Sequence, residues 1–386
     1  MTAAAGWNPL QGIRVLDFST FLPGPFATQV LGDLGADVIK VEPLAGDPGR
    51  LTLPPDAFAL VNRNRRSIAL DLKNPAVKPA IGRLARWADV AIEGFRPGVT
   101  DRLGVGYDEL RRHNPRLIYC SLSGYGQDGP LRDVPGHDLN FIAGSGALSF
   151  AGHFIEKPRR SGLPVADCAG GFLAITAILA ALLKRNATGE GAYLDATLFE
   201  AALLMTATRG TSVDPEQREH LHATNELFET KDGRQIALGM VEEHFWRAFC
   251  EVASTVDPAV RDPRFGNLDG RHHHGRELVA LLTRILRQRT AQEWIDAFGG
   301  RIPLQLAFTP QEALDQPQVA ARKIVMEENG HRHILFPVHV DGQTAGAFRR
   351  KAPACGEHTR EVLAEIGLGA AEIDGIIASG AAKGAR

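Results

Sequence analysis

The chain has 386 residues, of which 44% are hydrophobic and 23% are charged, and its formal net charge is −2. This length is sufficient for two domains with a sizeable core, and the composition is that of an ordinary globular protein. Because the near-neutral charge supplies no overall basic field, it argues against nucleic acid as a partner.

The first 125 residues alternate short β-branched runs with helical patterns, which is typical of a parallel sheet covered by helices on both faces. The predicted strands are Ile13–Phe18, Val38–Val41, Ile68–Leu72, Val90–Ile92 and Leu117–Leu122, with predicted helices at Phe26–Leu34 and Ala76–Ala88. A long helical stretch follows at 172–208, interrupted by residues 189–192 and a strand near Tyr193–Ala196. The fold class predicted from this order is α/β.

The composition changes after residue 208, which predicts a second unit. A polar, irregular segment precedes a strand at Gln235–Leu238 and helices near 243–253, 276–288 and 291–297. A β pattern returns at His333–Val340 and a helix follows at Thr359–Ile366. We therefore predict a large α/β domain at 1–208, a linker at 209–227, a small domain at 228–328 and a C-terminal return to the large domain at 329–386.

Several patterns predict what this protein lacks. The four cysteines, at 120, 168, 250 and 355, have no metal-ligand spacing, and His272-His273-His274 has no nearby carboxylate or cysteine partner at such a spacing. No metal site is predicted. The start of the chain does not have the pattern of a signal peptide, and its longest apolar run, 172–183, is too short to span a bilayer. A reduced, cytoplasmic protein without a membrane segment is expected.

The residues most suggestive of chemistry are His137, in Pro135-Gly136-His137-Asp138, and Asp167, which lies 30 residues further on and shortly before an apolar helix. Imidazole and carboxylate groups are often used to move protons near neutral pH. A helix N-terminus also suits a reaction in which negative charge develops on a carbonyl oxygen. An aspartate before a helix is more often only a cap, however, and a histidine in a Gly-Pro loop is usually structural.

Residues 124–129 match the G-x-G-x-x-G pattern and follow a predicted strand. A dinucleotide site would also require a helix to begin at that point. Because Pro130, Pro135 and Gly136 favour a loop instead, we predict no nicotinamide or flavin site here.

Further strings carry a family resemblance: Pro23-Gly24-Pro25, Leu34 to Glu42, Asn62 to Lys73, Glu93-Gly94-Phe95-Arg96-Pro97-Gly98-Val99 and Gly136-His137-Asp138-Leu139-Asn140. In this order they resemble the class III (CaiB/BaiF) CoA-transferase superfamily and, within it, the α-methylacyl-CoA racemases. The resemblance implies a Rossmann-like large domain with a parallel sheet and a smaller α+β domain. It also implies an interlocked homodimer whose active site combines the large domain of one subunit with the small domain of the other.

The resemblance also implies an acyl-CoA thioester as substrate, with coenzyme A carried as part of it and no other cofactor required. The implied CoA-contacting segments are Leu70 to Lys73, Gly94 to Val99, Arg102 and Gly136 to Phe141. Lys73, Arg96 and Arg102 would supply cations for the phosphates. Pro43 stands where related racemases tend to have an arginine, which would leave CoA affinity more dependent on these three cations.

The resemblance leaves the reaction open between two classes. In a racemase, His137 and Asp167 would flank the α-carbon and transfer protons on its opposite faces, while Glu242 and Asp138 would orient the imidazole and backbone N–H groups at the helix start would hold the enolate. In a class III CoA-transferase, Asp167 would be the nucleophile that attacks the thioester. A weakly catalytic CoA-thioester-binding protein is a third alternative, because His220 to Leu227 departs from the racemase pattern.

Overall fold

The computed structural model describes residues 7–150, 159–212 and 222–384. The described residues divide into two compact units. The first contains 7–145, 163–205 and 316–384, and the second contains 146–150, 159–162, 206–212 and 222–315. The predicted boundaries at 208 and 328 remain predictions. Residues 213–221 of the predicted linker lie outside the described residues, as does the start of the His220 to Leu227 segment.

The strands of the described chain are β1 (Arg14–Asp17), β2 (Asp37–Glu42), β3 (Arg65–Leu70), β4 (Val90–Glu93), β5 (Ile118–Ser123), β6 (Ala192–Thr197), β7 (Leu227–Glu229), β8 (Gln235–Leu238), β9 (Leu304–Leu306), β10 (Val325–Glu328), β11 (His331–Ile334), β12 (His339–Val340), β13 (Gln343–Thr344) and β14 (Ala382–Lys383).

The α-helices are α1 (Pro23–Asp33), α2 (Gly49–Thr52), α3 (Pro55–Asn62), α4 (Lys78–Trp87), α5 (Val99–Leu103), α6 (Tyr107–His113), α7 (Asp138–Gly144), α8 (Val165–Thr188), α9 (Leu198–Ala207), α10 (Glu243–Ala253), α11 (Leu268–His273), α12 (Gly275–Leu286), α13 (Ala291–Phe298), α14 (Pro310–Leu314), α15 (Pro317–Arg322), α16 (Thr359–Glu365) and α17 (Ala370–Ala378). Short 3₁₀ helices occur at Pro75–Val77, Ala147–Phe150, Pro258–Arg261 and Pro263–Phe265.

The first unit is built on a seven-stranded sheet of order β14-β3-β2-β1-β4-β5-β6. Every pairing is parallel except that of β14 with β3. Apart from β14, this is the strand order of a Rossmann fold. The strand order reverses between β1 and β4, and open α/β sheets bind their ligands at such a point, beyond the carboxyl ends of the strands. The predicted Rossmann-like fold is confirmed.

Buried aliphatic side chains on the strands hold helices against this sheet. Leu16, Ile39 and Ile68 belong to a core cluster that also contains residues of α4, α6, α16 and α17. Helix α1 packs against α8, and α8 also contacts β5 and β6. The apolar burial that drives this packing is the main favourable contribution to folding.

The second unit has the predicted α+β character. Its antiparallel sheet has the order β7-β8-β9. Helices α10, α12 and α13 contribute buried residues to its core, among them Phe249, Leu282, Trp294 and Phe298. The strand at Gln235–Leu238 and the helix at 243–253 have the predicted bounds.

Several elements of the first unit differ from their predictions. Strand β3 begins at Arg65 instead of Ile68, because the buried Arg65 guanidinium pairs with the buried Asp17 carboxylate at 2.7 Å. The predicted β segment at His333–Val340 is divided between β11 and β12, and α17 and β14 were not predicted.

Helix α8 has 24 residues and begins at Val165, seven residues before the apolar run. In length and composition it could cross a membrane, and it is the one helix in the described chain for which this holds. In the structure it packs against the sheet and α1.

Candidate active site

A cavity of about 410 Å³ opens at the carboxyl edge of the seven-stranded sheet. Its wall includes Ser19, which follows β1, Gly94, which follows β4, and Ser123, the last residue of β5. All of its lining residues belong to the first unit. The cavity therefore lies where the reversal of strand order predicts a ligand site.

His137 and Asp167 both line this cavity. Residues 124–137 after β5 form no helix, so the G-x-G-x-x-G string lacks the helix that a dinucleotide site needs. Helix α7 then begins at Asp138, with His137 at its N-cap, and the His137 backbone N–H donates to Asn140 Oδ1 at 3.0 Å. Asp167 lies in the first turn of α8. Two helix starts thus bring the imidazole and the carboxylate to one cavity.

Asp167 has an unusual titration. Its burial and, secondarily, the neighbouring Asp138 carboxylate raise the pKa of Asp167 to about 7. Burial disfavours the charged form, and a second negative charge close by disfavours it further. A carboxyl group with such a pKa exchanges protons readily near neutral pH, as acid–base catalysis requires.

Asp138 is placed differently from its predicted role. Its Oδ1 accepts hydrogen bonds from the backbone N–H groups of Ala166 at 2.7 Å and Asp167 at 3.2 Å. The carboxylate therefore caps α8 and contributes to the raised pKa of Asp167. The sequence had instead predicted that Asp138 would orient the His137 imidazole. Because those two N–H groups are occupied, they are not free to hold an enolate oxygen. The N–H groups of Asp138 and Leu139 form no hydrogen bond within the described residues.

Glu242 belongs to the second unit. It is the N-cap residue of α10, its side chain is exposed, and it makes no capping hydrogen bond. The adjacent Glu243, by contrast, pairs with Arg271 at 2.8 Å. Glu242 thus presents an unpaired carboxylate within the described chain, and its role towards His137 stays a prediction.

Two of the segments implied to bind coenzyme A contribute to the cavity wall, the first with Gly94 to Pro97, which include Arg96, and the second with Gly136, His137, Asn140 and Phe141. A Cβ atom at Gly136 would lie 2.7 Å from the Phe141 ring, so the chain requires glycine there. Arg102 lies in α5, and its guanidinium approaches the Gly98 turn.

The segment from Leu70 to Lys73 fits less well. Leu70 is 1% exposed and packs in the core, so its side chain cannot contact a ligand. The neighbouring backbone pairs with β14. Lys73 is exposed in the turn after β3 and does not line the cavity.

Several parts of the cavity wall were not predicted from the sequence, among them Leu122 to Tyr125, Leu198 and two further parts. One is Arg132, whose guanidinium approaches the same Gly98 turn as Arg102. The other is the β1–α1 loop, in which Phe21 has a φ of 62° and its backbone N–H donates to Asp47 at 3.1 Å. The Pro23-Gly24-Pro25 string at the start of α1 marks this loop, but the need for glycine there comes from a close approach to Ser19 that sequence patterns do not display.

Within residues 7–150, 159–212 and 222–384 there is no group of three or more histidine, cysteine, aspartate or glutamate side chains that could hold a metal ion. His272 and His273 end α11, and His274 precedes α12.

Comparison with known proteins identifies the class of protein that this fold and cavity define. The model of the family described as CoA-transferase family III matches residues 10–359. The chain belongs to this family.

Individual relatives carry two kinds of name. The chain is 35% identical to an acyl-CoA transferase of Fusarium pseudograminearum, over 97% of this chain and 90% of that protein. It is 32% identical to the succinyl-CoA:glutarate CoA-transferase of Mus musculus, over 93% and 86%. It is 31% identical to the human α-methylacyl-CoA racemase, over 94% and 95%. Similarity to transferases and to a racemase is therefore of the same order.

Solved structures give the same family. A CaiB/BaiF family protein from Brucella suis superimposes with a TM-score of 0.81 at 27% sequence identity, covering 93% of this chain and 99% of that one. The resemblance read from the sequence motifs is confirmed at the level of the superfamily.

Proposed function

We propose that this protein is an acyl-CoA racemase or epimerase that inverts the carbon α to the thioester by 1,1-proton transfer. The observation that carries the proposal is that His137 and Asp167 line one cavity at the carboxyl edge of the sheet. An inversion needs two groups that exchange protons near neutral pH, one on each face of the α-carbon. The His137 imidazole is one such group, and the Asp167 carboxyl group, whose pKa is about 7, is the other.

In the proposed reaction one of the two groups removes the α-proton, and the electron pair moves onto the thioester oxygen. The other group then delivers its proton to the opposite face of the resulting enolate, and the thioester carbonyl is restored. In one direction His137 is the base and protonated Asp167 is the acid. In the reverse direction the ionised Asp167 is the base. The enzyme ends each turnover with the proton on the other partner.

The enolate oxygen needs hydrogen-bond donors. Since Asp138 occupies the N–H groups of Ala166 and Asp167, we assign this role to the N–H groups of Asp138 and Leu139 in the first turn of α7. The carboxylate of Asp138 contributes in a second way. Added to the larger effect of burial, its charge helps to keep part of the Asp167 population protonated at neutral pH, so both protonation states are available.

The carrier part of the substrate is assigned to the Gly94–Gly98 turn and the cations beside it. Arg96 and Arg132 line the cavity, and the guanidinium of Arg102 lies next to Gly98. Arginine is well suited to bind phosphate groups because its planar fork of N–H donors matches their oxygens. We include Arg132 with the predicted Arg96 and Arg102 as a contact for the anionic groups of coenzyme A.

The direct test is conversion of a single epimer of a 2-methylacyl-CoA, followed by chiral separation of the products. His137→Ala and Asp167→Ala should each reduce conversion about 10²- to 10⁴-fold, the usual contribution of an acid or base. Cys168→Ala is the matched control, because it alters the residue next to Asp167 without removing a proton-transfer group, and it should retain activity. Full conversion by both alanine variants would contradict the proposal.

A class III CoA-transferase is the second candidate, and the names of the relatives favour it. In that reaction the Asp167 carboxylate attacks the thioester carbonyl, and the CoA thiolate leaves to give a mixed anhydride. The thiolate then attacks the Asp167 acyl carbon of the anhydride, which releases the first acid as its carboxylate and leaves an aspartyl-CoA thioester. Mixing an acyl-CoA with a second carboxylic acid should then produce the new CoA ester, and borohydride should trap the thioester intermediate at Asp167. Transfer without any inversion at the α-carbon would establish this alternative.

We also propose the interlocked homodimer, with Glu242 supporting His137 in the complete site. Large apolar side chains on α8 and α9 are exposed in the single chain, namely Phe172, Leu183, Leu203, Leu204 and Met205. Apolar surface of this kind marks interaction sites. The unpaired carboxylate of Glu242 is available to meet an imidazole. Sedimentation velocity separates a 41.7 kDa monomer from a species of twice that mass and tests the dimer.

A further inference from the structure

Glu93 is a buried carboxyl group beside the cavity, and the proposed proton transfer does not use it. It is the last residue of β4 and is 2% exposed. The next four residues, Gly94 to Pro97, all line the cavity. Glu93 Oε2 accepts the backbone N–H of Phe95 at 2.7 Å, so the carboxyl group fixes the turn from behind.

A hydrogen-bonded group on β5 also holds Glu93. The Ser121 hydroxyl donates to the Glu93 carboxylate, and the Tyr193 hydroxyl donates to Ser121 at 3.2 Å. The rings of Tyr119 and Tyr193 stack with centroids 6.0 Å apart. The hydrogen-bonding capacity of the buried Glu93 carboxyl group is therefore met by neutral donors rather than by a cation.

The charges around Glu93 oppose its ionisation. Burial raises the pKa of Glu93 to about 7, and the carboxylates of Asp195 on β6 and Asp101 on α5 add to the effect. The other titratable groups that face it are Tyr119 and Cys120 on β5 and Tyr193 on β6. Near neutral pH this site therefore exchanges a proton with solvent, and any further negative charge brought to the turn favours the protonated form.

We propose that Glu93 is a positioning residue for CoA binding, which holds the Gly94–Gly98 turn in place and takes up a proton when the polyanionic ligand occupies that turn. The inference shares one assumption with the proposed function, namely that coenzyme A binds at this turn. The phosphates bring negative charge to the turn, and linkage requires that a ligand that raises the pKa of a group binds more tightly when that group is protonated. The dissociation constant therefore rises as the pH rises through 7.

The first test is calorimetric titration of coenzyme A into the full-length protein at pH 7.5, in buffers of different ionisation enthalpy, which counts the protons taken up. The wild type should take up a fraction of a proton that Glu93→Gln does not. The carboxamide oxygen introduced by this substitution can still accept the Phe95 N–H, so the turn is retained while the titrating group is removed. Glu109→Gln, at an exposed carboxylate on α6, is the matched control and should behave as the wild type.

The second test is the pH dependence of the coenzyme A dissociation constant between pH 6.5 and 8.5. The wild-type constant should rise about threefold or more relative to that of Glu93→Gln, which corresponds to a modest interaction between charges separated by protein. Titration of the phosphates of coenzyme A is common to both proteins and cancels in the comparison. Measurement in an Asp167→Asn background removes the other raised carboxyl group, and the difference should persist there.

Glu93→Asp keeps a titrating carboxyl group but shortens its reach to the turn. This variant should still take up a proton but bind coenzyme A more weakly. Because an unfolded protein would show neither, that result separates a loss of positioning from a loss of folding. Equal proton uptake and parallel pH profiles for the wild type and Glu93→Gln would overturn the inference. These measurements require no turnover, so a failure of epimerisation leaves them valid, whereas absence of coenzyme A binding to the wild type would remove the proposed function itself.

Discussion

At the scale of single residues, Asp167 combines a structural cost with a chemical role. Burial and the adjacent Asp138 raise its pKa to about 7, so the folded protein holds this proton more tightly than the unfolded chain, in which an aspartate titrates near pH 4. Between these two values the unfolded chain loses the proton first, and stability therefore falls as the pH rises. Above pH 7 the folded state carries the full penalty of a buried, repelled carboxylate.

Asp167→Asn is accordingly expected to stabilise the protein at pH 8 by up to about 4 kcal/mol, because the amide cannot ionise and about three pKa units correspond to about 1.4 kcal/mol each. The gain should shrink on acidification and vanish below about pH 3, where both states of the wild type hold the proton. Denaturant unfolding at a series of pH values measures this difference. Asp128→Asn, at an exposed aspartate in the loop after β5, is the control. A stability difference that does not change with pH would contradict the assigned titration of Asp167.

At the scale of elements, the site depends on how strands end and helices begin. The carboxyl ends of β1, β4 and β5 supply the cavity floor, and the starts of α7 and α8 supply His137 and Asp167. At the start of α1, a Cβ atom on Gly24 would lie 2.1 Å from the Ser19 Oγ. That hydroxyl cannot move away freely because it is hydrogen-bonded to the buried Asp17.

Gly24→Ala is therefore expected to destabilise the protein by about 1–3 kcal/mol, the usual cost of overpacking. Gly375→Ala is the matched change within a helix, since the new Cβ in α17 meets no atom within 4 Å. It should stabilise the protein by about 0.5–1 kcal/mol, because alanine favours a helix. Thermal unfolding of both variants tests the contrast. Equal effects of the two substitutions would show that the approach to Ser19 is not constraining.

The sequence allows most elements of the sheet to be predicted, because apolar periodicity reports burial. The prediction misses the start of β3, because an arginine such as Arg65 is typical of a surface position. Arg65 is buried here through its pair with Asp17, which lies 48 residues away in the sequence. The prediction also fails at β14, which is too short to display a period and is fixed by pairing with β3. The two residues that the sequence singled out, His137 and Asp167, both line the cavity, whereas the position of Arg132 and the capping role of Asp138 depend on contacts between distant segments.

At the scale of the whole molecule, one chain forms two compact units, and the second interrupts the first. The cavity with His137 and Asp167 belongs entirely to the first unit, while Glu242 belongs to the second. Membership of CoA-transferase family III is shown over residues 10–359. The family includes relatives named as transferases and as a racemase, so the reaction must be determined at the α-carbon itself.

The most direct measurement is α-deuteration in deuterated water, followed separately for each epimer of a 2-methylacyl-CoA with the wild type, His137→Ala and Asp167→Ala. Two bases on opposite faces predict that the wild type deuterates both epimers, and that each variant keeps exchange with only one epimer, a different one for each variant. The mechanism would be contradicted if no epimer incorporates deuterium, or if both variants lose exchange with the same epimer and keep it with the other.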